Sequence, residues 1–315
     1  MVFIKGYIVV KISFCMTCMG RLHHLEQTLL KNIEDNLSDK GSDPSVEFVL
    51  VDYNSQDGLR DWVRNNPALQ KYLENGTLVY ARHPDATHFH HAHAKNMAHR
   101  LATGDVVCNL DADNFTGKGF ARFLAGEFAD DRPVLVYPAT VTRKALPEGK
   151  DGCFGRIAMR REDFHALGGY SEAYKKGWGF EDLDLIVRAL ANKFKPRPIF
   201  NPEFLDVIAH DHEERIKNAP GGLTVKHIED VFSGRAVVKW ARFYFNVSVS
   251  PVQANREGNY GAGKVVGLDG EEKTVAPLKK VPHIAKRNLK GVFAYIKGRR
   301  IVEPGRNIQA VMGKL

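Results

Sequence analysis

Two carboxylates occupy alternate positions at Asp111-Ala112-Asp113, directly after the apolar run Val106 to Leu110. A hard divalent cation takes oxygen ligands and a pyrophosphate can complete its shell, so this pair suits a nucleotide held through a metal. The cation would act as a Lewis acid and neutralise charge on a departing nucleoside diphosphate. Any acidic turn can produce the same tripeptide, and it is the buried strand in front of it that makes the motif informative.

A second constellation is Gly177-Trp178-Gly179-Phe180-Glu181-Asp182. The glycines allow close backbone approach to a ligand, and Trp178 offers an apolar face for a sugar ring. Glu181 and Asp182 open a helical pattern, where the macrodipole favours negative charge, so alone they fit a helix start as well as a catalytic role. Paired with the upstream acidic motif, a catalytic carboxylate is the better reading. Val207 to His212, where a strand is expected to end in His210, adds His210 and His212, each able to ligate a cation or to sit solvated in a loop. His88, His90, His91 and His93 crowd the loop before Lys95 and read as a donor-site loop rather than an independent metal site. Cys15 and Cys18 form a C-x-x-C, but Cys108 and Cys153 are isolated, so neither a disulfide framework nor a zinc site is expected.

These residues need a scaffold that brings strand ends together. Ile8 to Phe14, Val46 to Asp52, Thr77 to Ala81 and Val106 to Leu110 read as buried strands. Between them, helical patterns follow Arg21 (Leu22, Leu25, Leu29, Leu30) and span Gly58 to Leu73 and Ala92 to Ala102. Short strands at Val134 to Tyr137 and Ile157 to Met159, a short helix from Arg161 and an amphipathic helix from Glu181 to Ala191 come next. The alternation predicts an α/β fold with a mostly parallel open sheet and flanking helices. Ligands in such sheets sit beyond the carboxyl ends of the strands, which puts Asp52 and Asp111 at one site.

Four ordered segments resemble family 2 glycosyltransferases of the glycosyltransferase A fold, with a galactosyltransferase-like C-terminal half. Val49 to Asp57 looks like the family's strand ending in Asp with a Ser-x-Asp turn, and Ala94-Lys95-Asn96 with Ala102 to Asp105 looks like the lead-in to its D-x-D strand. Gly177 to Asp182 is similar to the W-G-x-E-D motif, and the likeness runs over roughly residues 8 to 215. The resemblance implies a metal-dependent, inverting transferase that moves a sugar from a UDP-sugar to an acceptor hydroxyl, using Mn2+ or Mg2+. It implies donor contacts at Asp52, at Thr17 and Arg21 in the first turn, and at Asp111 and Trp178. Lys95 stands where the family usually has Arg and would meet a phosphate. Asp113, with Asp111, would hold the metal; His210 is the expected third ligand and His212 the alternative. Asp182, or in second place Glu181, would be the general base.

The chain has 315 residues, 43% hydrophobic and 26% charged, with a net charge of +8 that suits an anionic partner. A catalytic domain over 1–220 is expected, its nucleotide-binding region over 1–114 and its acceptor region over 115–220, followed by a basic extension over 221–315. No signal peptide or membrane span is apparent, so a cytoplasmic protein is expected, peripheral to a membrane at most. The basic tail from Lys279 to Arg300 could touch anionic lipid or nucleic acid. That motivates an alternative, a DNA-modifying glycosyltransferase; a non-catalytic glycan- or nucleotide-binding protein on the same scaffold is the third.

Overall fold

The computed structural model describes residues 10–37, 44–129, 133–139, 153–174, 179–219, 221–232 and 254–278. Trp178, the aromatic run at Trp240 to Phe245 and the basic tail from Lys279 lie outside them.

Eleven strands and nine α-helices are found among the described residues. The first strand, β1 (Lys11–Cys18), is central; β2 (Ser45–Asp52) pairs beside it and β3 (Leu78–Arg82) beyond, both parallel. On the other side of β1 lies β4 (Val106–Asp111), also parallel. This order, β3-β2-β1-β4, reverses direction between β1 and β4. Helices carry the chain between these strands, because a parallel neighbour cannot be reached through a tight turn. They are α1 (Leu22–Asn36), the pair α2 (Leu59–Asn65) and α3 (Pro67–Glu74), and α4 (His91–Leu101). β1, β2 and β4 are buried along nearly their whole length, as strands covered on both faces must be.

Beyond β4 the sheet becomes mixed. After the two-residue strand β5 (Asn114–Phe115) and α5 (Phe120–Glu127) come β6 (Val134–Pro138), β7 (Ala158–Arg160), α6 (Arg161–Ala166), α7 (Glu181–Ala191) and β8 (Lys195–Ile199). β7 is antiparallel to both β4 and β6, while β8 runs parallel to β6. The two-residue strand β9 (Asp206–Val207) pairs with β5 in a separate ladder, followed by α8 (His212–Ile216) and α9 (Val225–Phe232).

Three expectations are revised. β1 runs on to Cys18 instead of ending at Phe14, and it carries both Cys15 and Cys18. These two face opposite sides of the sheet, each in a different apolar cluster. Burial pushes the Cys18 thiol up to about 12. The helix expected over Gly58 to Leu73 is two helices, because Asn66-Pro67 interrupts it: Asn66 is extended and its side chain accepts from the Ala68 amide, capping α3. The strand expected to end in His210 stops at Val207.

The C-terminal region also enters the main sheet. β10 (Gly263–Val266) and β11 (Glu272–Val275) form a hairpin whose first strand pairs antiparallel with β3 at the sheet edge. Tyr260 is fully buried, its hydroxyl 2.9 Å from His165 Nδ1 and its carbonyl accepting from Arg100 Nη1. Among the described residues, no helix is long and apolar enough to cross a membrane.

Candidate active site

The reversal of strand order between β1 and β4 opens a crevice at their carboxyl ends, the usual ligand position in open α/β sheets. Thr17 pairs with Asp111 in register there, and Cys18 pairs with Asp52 on the other side. The turn carrying Asp111 and Asp113 is fastened from α1: Thr28 donates to the Ala112 carbonyl at 2.7 Å, and Asn32 to the Asn114 carbonyl at 2.8 Å.

Asp111 and Asp113 face different neighbours. Asp111 accepts from Asn109 Nδ2 at 3.0 Å and lies 3.8 Å from Lys95 Nζ. Asp113 is nearly buried, with Oδ1 accepting from Asn114 and Oδ2 2.7 Å from His210 Nε2. Burial works against its charge, but the His210 hydrogen bond, with His210 and Arg21 nearby, outweighs it and holds the carboxyl below the usual range. Arg21 reaches 3.5 Å from the same His210 nitrogen. His212 is turned elsewhere, with its Nδ1 2.8 Å from Arg215.

The second half is supplied by α4 and α7. Phe180 adopts a left-handed backbone (φ 73°) and starts α7, with Glu181, Asp182 and Asp184 in its first turn. Asp184 pairs with Arg188 at 2.7 Å, whereas Glu181 and Asp182 converge on Lys95 of α4. The Lys95 ammonium donates to Glu181 at 3.0 Å and to both oxygens of Asp182 at 2.8 and 2.9 Å; Lys95 and Glu181 are buried and Asp182 is partly so. Burial opposes the charge of Glu181, but Lys95 and His91 override it and hold it at about 2. Asp182 is pushed up to about 7, chiefly by burial, with Glu181 and Asp111 adding to the rise against the pull of Lys95. Burial, reinforced by the two neighbouring carboxylates, thus keeps a proton on Asp182 until near-neutral pH.

Gly155 closes the gap between the two halves. A Cβ built there would lie 2.7 Å from Asp111 Oδ2 and 3.1 Å from Asp182 Oδ2, so both carboxylates line one small space. Its carbonyl accepts from Asn109 at 2.9 Å. Behind it, the fully buried Arg156 donates to Asn114 Oδ1 at 3.0 Å, and Asn114 in turn fixes Asp113.

The structure therefore brings Asp111, Lys95, Glu181 and Asp182 into one cluster, with Asp113, His210 and Arg21 in a second on the same strand end. Asp52 is fully buried; its carboxylate accepts from the Ser55 amide at 2.7 Å and the Tyr80 hydroxyl at 2.6 Å. The histidines of 88–93 divide their work. His90 accepts from the His93 amide at the start of α4, His91 packs on Phe89, and His93 meets the Tyr53 hydroxyl at 2.8 Å. Asn109, Gly155 and Arg156 went unrecognised in the sequence. Only Asn109 carried a signal, standing two residues before Asp111 on the same strand face.

A carboxylate oxygen and an imidazole nitrogen fit a divalent cation of the manganese type. Octahedral ligands at about 2.1 Å stand about 3 Å apart, so Asp113 and His210 need to open only slightly to share an ion.

The family model of glycosyl transferase family 2 matches residues 13–166, and that of the N-terminal domain of galactosyltransferase matches residues 144–218. No curated protein matches the chain. Among solved structures, it is similar to a mannosyltransferase from Pyrobaculum calidifontis in complex with GDP-Man and Mn2+ (19% identity, TM-score 0.48, 76% of this chain and 70% of that one). It is also similar to S. aureus TarS 1–349 (15%, 0.47, 76% and 75%) and to the catalytic domain of Drosophila β1,4-galactosyltransferase 7 in complex with xylobiose (16%, 0.46, 69% and 78%). On one α/β sheet, residues 13–166 thus form a region of the glycosyl transferase family 2 type, and the overlapping residues 144–218 a galactosyltransferase-like one.

Proposed function

We propose that this chain transfers a sugar from a nucleoside diphosphate donor, with UDP-sugars the first to test, to an acceptor hydroxyl with inversion at the anomeric carbon. The observation that carries this reading is the shared space at Gly155, where Asp182 from α7 meets Asp111 from β4 over the buried Lys95. Asp182 takes the proton from the acceptor hydroxyl as its oxygen attacks the anomeric carbon and the bond to the diphosphate oxygen breaks. A base with a pKa near 7 is suited to that transfer at neutral pH. Lys95 and Glu181 fix the orientation of Asp182, and Asp111 faces the donor sugar across the same space.

Asp113 and His210 are the residues that would hold Mn2+ or Mg2+, which when bound neutralises charge on the departing diphosphate. Arg21 beside His210 adds a second positive group on that side. A screen of sugar nucleotides with Mn2+, scored for donor hydrolysis and transfer, tests the reading. Asp113→Ala is expected to abolish turnover and metal-dependent donor binding; donor hydrolysis that persists in this variant without metal would sink the assignment.

A further inference from the structure

His23, His24 and Glu214 converge beside the site without a role in the proposed reaction. His23 Nε2 lies 3.1 Å and His24 Nε2 3.3 Å from the same oxygen, Glu214 Oε1. The three atoms all fall within 4.8 Å of one another, the one such three-ligand group among the described residues. Neighbouring ligand atoms around a tetrahedral zinc, at about 2.0–2.1 Å from the ion, stand about 3.3 Å apart. Both histidine-to-glutamate separations match that spacing.

We propose that these residues form a second cation site that takes a borderline transition metal such as Zn2+, distinct from the Asp113–His210 pair. Two imidazoles and one carboxylate are a zinc-type donor set, unlike the oxygen-rich shell that Mg2+ or Ca2+ requires. The ligands are held in place from both sides. His23 and His24 are fixed in the first turn of α1, and Glu214 in α8 has its amide bonded to Asp211 and its carbonyl to Arg21. His24 is buried, with its ring packed 5.4 Å from that of His210 (centroid to centroid), so its orientation toward Glu214 is set by packing. The first turn of α1 has no acid of its own, and Glu214 supplies the negative charge that offsets the positive helix end for a cation. Arg21 approaches Glu214 Oε1 only to 3.9 Å and leaves that oxygen open to an ion. His23 is 56% exposed, which leaves a fourth position for water. An ion there would tie the start of α1 to the 211–218 segment, already linked where Asn218 donates to the Met19 carbonyl at 2.6 Å.

Co2+ added to the full-length protein tests this, because four-coordinate Co2+ gives an intense visible d–d band that six-coordinate Co2+ lacks. The band is expected in the wild type and in Asp113→Asn, and is expected to be lost in both His23→Ala and Glu214→Gln. The substituted side chains of these two variants lie partly or largely exposed, so the fold is retained. Zn2+ should displace the band at one equivalent and raise the Tm of the wild type but not of His23→Ala. A band that survives both substitutions, a band lost only in Asp113→Asn, or no band in the wild type would each overturn the proposal.

Discussion

The Lys95 ammonium lies 2.8 and 2.9 Å from the two oxygens of Asp182, so the proposed base is held symmetrically by a buried cation. The same ammonium serves Glu181 at 3.0 Å and lies 3.8 Å from Asp111. Lys95→Met removes the counter-ion from three carboxylates at once. Loss of a buried partner costs about 3–5 kcal/mol, and kcat/KM is expected to fall at least about 100-fold. The acid limb of the pH–rate profile should move up, since the ammonium pulls the Asp182 pKa down. An unmoved limb would remove Asp182 as the titrating base.

In the wild type, kcat/KM should rise with pH through about 7 as Asp182 loses its proton. Stability should run the other way. From the ordinary value of 3.8 up to about 7, the folded protein keeps a proton that the unfolded chain has released. Asp182 therefore favours unfolding increasingly as pH rises through that window, by at most about 1.4 kcal/mol per pH unit. Glu181, held at about 2 against 4.5, adds stability that is full above about 4.5 and is lost as pH falls towards 2. Urea unfolding of the wild type and Asp182→Asn from pH 5 to 8 measures this: the difference between them should shift towards the variant as pH rises.

His210→Ala and Asp113→Asn should each weaken Mn2+-dependent donor binding by at least about 100-fold. Titrating Mn2+ at fixed donor, with fluorescence or calorimetry as the readout, separates this from a loss of chemistry. His212→Ala should leave the titration unchanged, because His212 is turned to Arg215.

Gly155→Ala would place a methyl group 2.7 Å from Asp111 Oδ2 and 3.1 Å from Asp182 Oδ2. One carboxylate must then move. Turnover should drop about 10- to 100-fold, as misplacement of about 1 Å does elsewhere, with Tm changed by only a few degrees.

Arg156→Met should uncouple orientation from stability. Nε and Nη1 of this buried guanidinium have no hydrogen-bond partner among the described residues, so an apolar replacement of similar length should cost little or even stabilise. Asn114 would lose the bond that steadies it against Asp113, and Mn2+ affinity should weaken about 10-fold. Equal losses in stability and affinity would show Arg156 to be a packing residue alone.

Features that depend on local pattern were legible in the residues alone. Apolar runs ending in Asp52 and Asp111 located strands β2 and β4 and the end of the sheet that carries the site, because buried parallel strands have little choice of residue. The order of the motifs carried the family resemblance, and Glu181 with Asp182 at a helix start followed from their position before an amphipathic stretch. Pairings across the chain were not legible. Lys95, expected at a phosphate, lies 87 residues from Asp182, and its pairing with that carboxylate is set only when α4 and α7 pack together. Only the packed sheet brings His210 rather than His212 to Asp113, encloses Asp52 between Ser55 and Tyr80, and sets Gly155 against two carboxylates. The hairpin of β10 and β11 was hidden for the same reason: edge pairing to β3 is fixed by a partner nearly 200 residues away, and no local period records it. Residue type and spacing set which chemistry is available, and long-range packing, through burial and shared counter-ions, decides which of those groups meet and what charge each carries.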